Sequence, residues 1–246
     1  MGNKILVGTI FSNVKDYVIR DWYDHVCKFT FPGFDVCAID NSTDKKYHKE
    51  IFRSFSERSP GSPVGNLTVL HTTVKHKQSE VFMSFSYNEL RNHFLVNGYD
   101  ILVLIESDQF PELDIIERLI SYDMQIVSGL FFTGDKKNSY PMIAQTDYYL
   151  RGPQLAMLGY LQGFYDIGEV EVPKPVASAG LGCVLIYKDI LQAIPFRYDP
   201  EFRHHPDTMF ATDLFENNIK NFYVPLFSRH ENQTWDIQRQ IIADRT

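Results

Sequence analysis

Short aliphatic runs alternate with longer segments in which apolar residues recur at helical spacing through the first half of the chain. The runs predict strands buried on both faces, and the periodic segments predict amphipathic helices. The predicted strands are Lys4–Ile10, Phe34–Ile39, Leu67–His71, Ile101–Ile105 and Gln125–Phe132, and the predicted helices are 14–26, Lys45–Arg58, Ser79–Val96 and Pro111–Tyr122. This order predicts an α/β fold with a mainly parallel central sheet and helices on both faces.

The pattern changes after residue 133. Tyr140–Val176 is rich in Gly, Pro and aromatic residues, which favours loops and short antiparallel strands. The predicted elements beyond it are a strand at Ala179–Tyr187, helices at Lys188–Ile194 and Phe210–Ile219, and a strand at Phe222–Val224. Since no linker interrupts the chain, we expect residues 1–246 to form one domain, with parts 1–132 and 133–246.

Composition narrows the possible partners. The 246 residues carry a formal net charge of −7, which disfavours a general nucleic-acid binder because such proteins are usually basic. No signal peptide or transmembrane segment is evident in the sequence, so we expect a cytoplasmic protein. Cys37 and Cys183 lie within apolar runs and are expected to be buried free thiols.

Two acids, Glu106 and Asp108, directly follow the most uniformly aliphatic run, Ile101–Ile105. If the backbone stays extended there, both side chains lie on the same side. Two carboxylates at the carboxyl end of a buried strand repel each other unless a cation or bound group offsets their charge. The alternative is a favourable interaction of both acids with the N-terminus of the helix expected to begin at Pro111.

Six segments occur in the order found in one enzyme family. They are Asp40-Asn41-Ser42-Thr43-Asp44, Leu90-Arg91-Asn92-His93, Glu106-Ser107-Asp108, Ala179–Ile186, Pro206–Phe210 and Arg229-His230-Glu231. Together they resemble the nucleotide-sugar glycosyltransferases of the GT-A fold, a Rossmann-like single domain with a small antiparallel acceptor-side region. Glu106 stands where the family has the first Asp of its D-x-D motif, and Pro206 stands where many members have Glu.

The resemblance implies a transferase that moves a sugar from a nucleoside-diphosphate sugar to a hydroxyl of an unknown glycan, protein or lipid acceptor. It also implies that residues 1–132 form a nucleotide-binding half and residues 133–246 an acceptor half. It implies that Mn2+ or Mg2+ is held by Glu106, Asp108 and His230, and that Asp207 is the general base. The implied nucleotide-sugar contacts are Thr9, Asp40, Asn41, Arg91, Glu106, Ser107, Gly180 and Gly182.

Each of these residues also has a simpler interpretation. Asp40 fits an Asx turn, Arg91 a solvated helix position, and Asp207 the N-cap of the following helix. The two glycines fit ordinary turns before a strand, and a lone histidine such as His230 is more often structural. The aromatic residues of 140–176 could stack on a sugar ring of the acceptor, but filling a core is the commoner role; they are Tyr148, Tyr149, Tyr160, Phe164 and Tyr165.

Two other functions remain open from the sequence. A sugar nucleotidyltransferase would be expected to carry a Gly-rich, basic loop after the first strand, and 8–12 (Gly-Thr-Ile-Phe-Ser) lacks both features. A non-catalytic nucleotide- or sugar-binding module is favoured if Glu106, Asp108 and His230 do not converge within about 5 Å, since a cation would then lack ligands.

Overall fold

The computed structural model of the chain describes residues 2–42, 44–57, 61–72, 74, 79–134, 139–144, 173–176, 178–199 and 205–231. The five aromatics named above lie outside these residues. The helices are α1 Asp16–Val26, α2 Lys45–Ser56, α3 Ser79–Val96, α4 Ile115–Ser121, α5 Lys188–Ala193 and α6 Pro206–Glu216. The strands are β1 Ile5–Phe11, β2 Phe34–Asp40, β3 Val64–His71, β4 Ile101–Ile105, β5 Gln109–Pro111, β6 Ile126–Leu130, β7 Phe132–Gly134, β8 Ser139–Pro141, β9 Ile143–Ala144, β10 Lys174–Val176, β11 Ser178–Ala179, β12 Cys183–Tyr187 and β13 Asn221–His230.

The main sheet is mixed, with the strand order β10-β13-β6-β12-β4-β1-β2-β3. Strands β1 to β4 pair in parallel, as predicted. Strand β12 lies between β4 and β6 and is antiparallel to both. Beyond β12, strand β13 is parallel to β6 and antiparallel to β10. Parallel and antiparallel pairs are therefore combined in the sheet, and the prediction of a mainly parallel sheet holds fully only for β1 to β4. Two small antiparallel pairs, β7 with β8 and β9 with β11, lie at the two ends of the region predicted to form loops and short antiparallel strands. Most of that region, residues 145–172, lies outside the described residues.

Apolar side chains cover both faces of the sheet. Along β4, Ile101, Val103 and Ile105 pack into one cluster with residues of α1, α2 and α4. Leu102 and Leu104 pack into a second cluster with residues of α3, α5 and α6. This alternation has the period of a strand, and burial on both faces explains why the run contains no polar residue.

The backbone turns immediately after β4. The amide N–H of Gln109 donates to the carbonyl oxygen of Glu106 at 2.9 Å, so residues 106–109 form a turn that we term the acid turn. Strand alternation therefore does not set the relative directions of Glu106 and Asp108, contrary to the prediction. The amide of Glu106 donates to the carbonyl of Gly182 at 2.9 Å, which joins the acid turn to the residue before β12.

Two element boundaries differ from the predicted ones. Pro111 lies in β5, which pairs with β13, and α4 begins only at Ile115. The last strand extends through His230, which lies opposite Gln109. The predicted strand stopped at Val224 because the next residue, Pro225, is of a type rare inside strands. In the structure Pro225 is exposed and lies where the register between β13 and β6 shifts.

Candidate active site

Asp108 and His230 meet at the carboxyl end of β4, and both are buried. Nε2 of His230 lies 3.1 Å from Oδ2 of Asp108. Nδ1 of the same ring donates to the carbonyl oxygen of Phe132 at 2.7 Å. This second bond fixes the ring orientation and directs Nε2 at the carboxylate. Nζ of Lys15, at the end of the short 3-10 turn Asn13–Lys15, lies 2.8 Å from the same Oδ2.

Electrostatic interactions within this cluster favour the charged form of each group. Burial alone would raise the pKa of Asp108, but the hydrogen bond from His230 and the charge of Lys15 outweigh it and lower the pKa to about 2. Burial alone would lower the pKa of Lys15, yet Glu106 and Asp108 raise it. The pKa of His230 is likewise raised by Asp108 against the effect of burial. The site therefore favours positive charge beside Asp108.

Glu106 has a different environment. The hydroxyl of Tyr87, on α3, donates to Oε1 of Glu106 at 3.1 Å. Burial raises the pKa of Glu106, and the charge of Asp108 adds to this while Lys15 opposes it. Burial also raises the pKa of Tyr87 well above its ordinary value, so the phenol stays a hydrogen-bond donor. The two acids thus differ, with Asp108 the more strongly ionised.

Asp207 lies in the first turn of α6, where its Oδ1 accepts from the amide of Thr208 at 2.7 Å and lies 3.3 Å from Nδ1 of His205. Burial would raise the pKa of Asp207, but His205 and the Thr208 amide lower it. Its charge contributes to raising the pKa of Glu106. The N-cap of α6 is His205, so the alternative that Asp207 is the N-cap is wrong, although the acid does accept a first-turn N–H.

Gly180 and Gly182 lie against the ring of Phe131. A Cβ at Gly182 would lie 2.6 Å from Cζ of Phe131, and one at Gly180 would lie 2.7 Å from the same atom. The Phe131 ring in turn meets the ring of His230 edge-on, with 6.0 Å between centroids. The glycines therefore admit a ring that supports His230, and their predicted contact with a donor sugar stays a prediction.

Several buried polar atoms near the strand ends lack partners. The hydroxyls of Thr9 and Ser107 and Oδ1 of Asp108 have no hydrogen-bond partner among the residues that the structure describes. An unpaired buried polar group costs about 1–3 kcal/mol. Such a group of atoms is expected where a ligand or ion supplies the missing interactions.

Asp40 forms the Asx turn considered from the sequence. Its Oδ1 accepts from the amide of Ser42 at 2.9 Å, while Oδ2 faces His71 and His48. Asn41 is half-buried, and its amide donates to the carbonyl of Phe11 at 2.9 Å. Their predicted contacts with a nucleotide remain predictions.

Arg91 has partners away from the acid turn. Its guanidinium donates to the carbonyl oxygens of Leu191 at 2.5 Å and Gln192 at 3.3 Å, in the last turn of α5. The structure therefore does not bring Arg91 together with the acids.

Sequence reasoning missed four residues of these clusters, Lys15, Tyr87, His48 and His71. Two of them had a usable signal. Tyr87 lies on the same buried side of α3 as Leu90 and Phe94, so its side chain is expected to face the sheet. His71 ends β3 directly opposite Asp40, the last residue of β2.

The residues at the acid turn fit a divalent cation. Asp108 offers one oxygen without a partner and a second that already faces an ammonium group. His230 offers Nε2, since Nδ1 is held by the Phe132 carbonyl. Carboxylate oxygens with an imidazole suit ions such as Mn2+.

Comparison with known proteins gives matches at the level of structure alone. No protein-family model matches the chain, and no curated protein matches it. GalNAc-T7, solved with UDP, GalNAc and Mn2+, superposes with a TM-score of 0.61 at 11% identity, over 95% of this chain and 45% of that one. The mannosyltransferase PcManGT from Pyrobaculum calidifontis, in complex with GDP-Man and Mn2+, superposes with a TM-score of 0.59 at 14% identity, over 100% of this chain and 65% of that one. S. aureus TarS 1-349, in complex with UDP-GlcNAc, superposes with a TM-score of 0.56 at 13% identity, over 94% of this chain and 60% of that one.

The chain has the GT-A fold of nucleotide-sugar glycosyltransferases. It spans less than two thirds of the length of each of the three structures above. At identities of 11–14%, these superpositions show the GT-A fold alone. The activity depends on this chain's own residues. Among the described residues, no helix combines the length and apolar character needed to cross a membrane.

Proposed function

We propose that the protein is a metal-dependent glycosyltransferase that moves a sugar from a nucleoside-diphosphate sugar to an acceptor hydroxyl. The observation that carries the proposal is the 3.1 Å approach of His230 Nε2 to Asp108 Oδ2. These residues lie 122 positions apart in the chain, and nothing in their local sequence would bring them together. The solved neighbours with UDP, UDP-GlcNAc or GDP-Man support the donor class.

Asp108 and His230 would hold the divalent cation, with Glu106 completing the site directly or through water. When bound, a divalent cation stabilises the negative charge that develops on the departing diphosphate. His230 keeps Nε2 directed at the site because its Nδ1 donates to a main-chain carbonyl. Orientation by such a second bond is typical of histidine ligands.

Tyr87 would position Glu106. Its hydroxyl bond at 3.1 Å orients one carboxyl oxygen, which leaves the other for a ribose hydroxyl or a water molecule. The unpaired hydroxyls of Thr9 and Ser107 support the same assignment, since a nucleoside offers the donors and acceptors that they lack. Asp40 and Asn41, at the end of β2, would contribute further nucleoside contacts.

Asp207 would act as the general base towards the acceptor hydroxyl in a single displacement. His205 and the Thr208 amide lower the pKa of Asp207, so it is ionised and able to accept a proton at neutral pH. The same depressed pKa limits its basicity. Gly180 and Gly182 would lie on the sugar side of the site.

The proposal is tested with the full chain, a panel of UDP- and GDP-sugars, and Mn2+ or Mg2+. The measurements are release of the nucleoside diphosphate and binding of the intact donor. Asp108→Asn should lower turnover at least a hundredfold, about 3 kcal/mol in the barrier, on the scale of a lost electrostatic contact. Asp189→Asn, an exposed acid in the first turn of α5, is the matched control and should leave turnover unchanged.

Unchanged turnover in Asp108→Asn would contradict the metal assignment. Donor binding without release of nucleoside diphosphate, across the whole panel and with several acceptors, would favour a binding module. Formation of a nucleotide sugar from a nucleoside triphosphate and a sugar phosphate would identify a nucleotidyltransferase. Location in the cytoplasm, expected from the sequence, is proposed together with this function.

A further inference from the structure

A second cluster of metal-ligand side chains lies at the ends of β2 and β3. Asp40 closes β2, His71 closes β3 in direct register with it, and His48 lies in the first turn of α2. Oδ2 of Asp40 lies 3.1 Å from Nδ1 of His71 and 3.4 Å from Nδ1 of His48. One ligand atom from each residue lies within 4.8 Å of those from the other two.

These distances match the spacing of ligands around a tetrahedral ion. Bonds of about 2.0–2.1 Å to zinc place neighbouring ligand atoms about 3.3–3.4 Å apart. The two measured separations from Asp40 Oδ2 lie at or just below this value. Both imidazoles present Nδ1 to the same carboxylate oxygen, so a small movement of the rings would place one ion between all three groups.

The environment also favours a ligand. Asp40 is fully buried, and its other oxygen is held by the amide of Ser42, which leaves Oδ2 directed at the histidines. Nδ1 of His48 is buried and has no hydrogen-bond partner within the part of the chain that the structure describes, although it faces Oδ2. The side chains of His48 and His71 are 25% and 15% exposed, so the cluster lies close to the protein surface.

We propose that Asp40, His48 and His71 form a second metal site, for Zn2+ or a similar borderline ion, with a fourth position left for water. Two imidazoles and one carboxylate favour such ions over Mg2+. The site is distinct from the one at Asp108, because β1 separates β2 from β4 and two strand spacings amount to about 10 Å. An ion bound here competes with a nucleoside for Asp40.

The test is calorimetric titration of chelator-treated, full-length protein with Zn2+, repeated in the Asp108→Asn background. This background removes the direct carboxylate ligand of the first site, so the remaining tight binding reports the second. We expect one equivalent of Zn2+ in that background, and at least tenfold weaker binding on adding His48→Gln or His71→Gln. His93→Gln on α3, which lies outside both clusters, should leave the affinity unchanged.

Visible absorption of bound Co2+ provides a second readout, because its intensity distinguishes tetrahedral from octahedral coordination. Thermal unfolding of each variant checks that it is folded; His48, on the surface of α2, still tests the site if His71→Gln unfolds. Zinc binding that survives both histidine substitutions would overturn the proposal. So would the absence of zinc binding by the folded Asp108→Asn protein. Neither outcome bears on the roles of Asp108 and His230 in glycosyl transfer, which the release of nucleoside diphosphate tests, so the two proposals can fail separately.

Discussion

Nζ of Lys15 lies 2.8 Å from Oδ2 of Asp108, the same oxygen that faces Nε2 of His230. An ammonium group thus occupies the side of the carboxylate that a divalent cation would use. Lys15 reaches this position from the turn that follows β1, the neighbour of β4 in the sheet. Any cation that binds Asp108 through Oδ2 must displace the lysine or share the oxygen with it.

Lys15→Met should therefore increase the affinity for Mn2+. Because 36% of the Lys15 side chain is exposed, solvent screens its charge. We expect up to about tenfold tighter Mn2+ binding, equivalent to about 1.4 kcal/mol, measured by calorimetry on the metal-free protein. Lys28→Met, at an exposed position after α1, should have no effect. Weaker Mn2+ binding in Lys15→Met would instead indicate that the lysine supports the site.

Asp207→Asn separates a catalytic role of this residue from a structural one. Asparagine can still accept the Thr208 amide, so the substitution removes the negative charge near the start of α6, at a cost of about 0.3–1 kcal/mol, and its attraction to His205. We expect transfer to fall at least a hundredfold while donor binding is retained. Donor binding by calorimetry, product formation and thermal unfolding are measured on the same preparation. A large loss of stability with transfer intact would leave Asp207 only a structural role.

Gly182→Ala should destabilise the protein by about 1–3 kcal/mol, the usual cost of overpacking. The added carbon would lie 2.6 Å from the Phe131 ring, which also packs against His230. Phe131→Leu in the same chain should recover part of the loss, and a double-mutant cycle by urea denaturation measures this coupling. Gly2→Ala, whose added carbon meets no atom within 4 Å, is the control. Additive effects of the two substitutions would contradict the packing argument.

The pH dependence of stability should report the charged state of Asp108 in metal-free protein. Its folded-state pKa of about 2 lies below the ordinary value of 3.8. The resulting stabilisation is present above the ordinary value and is lost as the pH falls towards 2. It amounts to about 2 kcal/mol. Urea unfolding in the presence of chelator should show that the free energy of unfolding falls further at acid pH in the wild type than in Asp108→Asn. Parallel pH profiles of the two proteins would contradict this prediction.

The sequence predicts the parts of the fold that local patterns determine. Strands β1 to β4 follow from aliphatic runs and helical spacing, and so does the position of Glu106 and Asp108 at the carboxyl end of β4. The turn at residues 106–109 does not, because the sequence indicated extended backbone there. The insertion of β12 between β4 and β6 is not predictable this way, because it joins residues about eighty positions apart. Pairing partners at that separation are set by packing of the whole sheet.

The candidate site divides in the same way. Asp108 follows from its position after a strand, whereas His230 was found only through the resemblance to GT-A enzymes. Lys15 was missed because lysines are common, and only its tertiary contact with Asp108 distinguishes it. Tyr87 and His71 had a local signal of position, but their contacts with Glu106 and Asp40 form only in the folded chain. His48 joins Asp40 only after α2 packs beside β2 and β3.

The position of β12 has a consequence for how the chain is made. A ribosome releases β4 and β6 before the strand that lies between them. Until residues 183–187 emerge, both strands carry unpaired edges of the kind that aggregate or recruit chaperones. The acid turn likewise lacks its histidine partner until residue 230 has been synthesised. We therefore expect a fragment ending at residue 132 to be poorly soluble when expressed alone, and co-expression with 133–246 to restore its solubility.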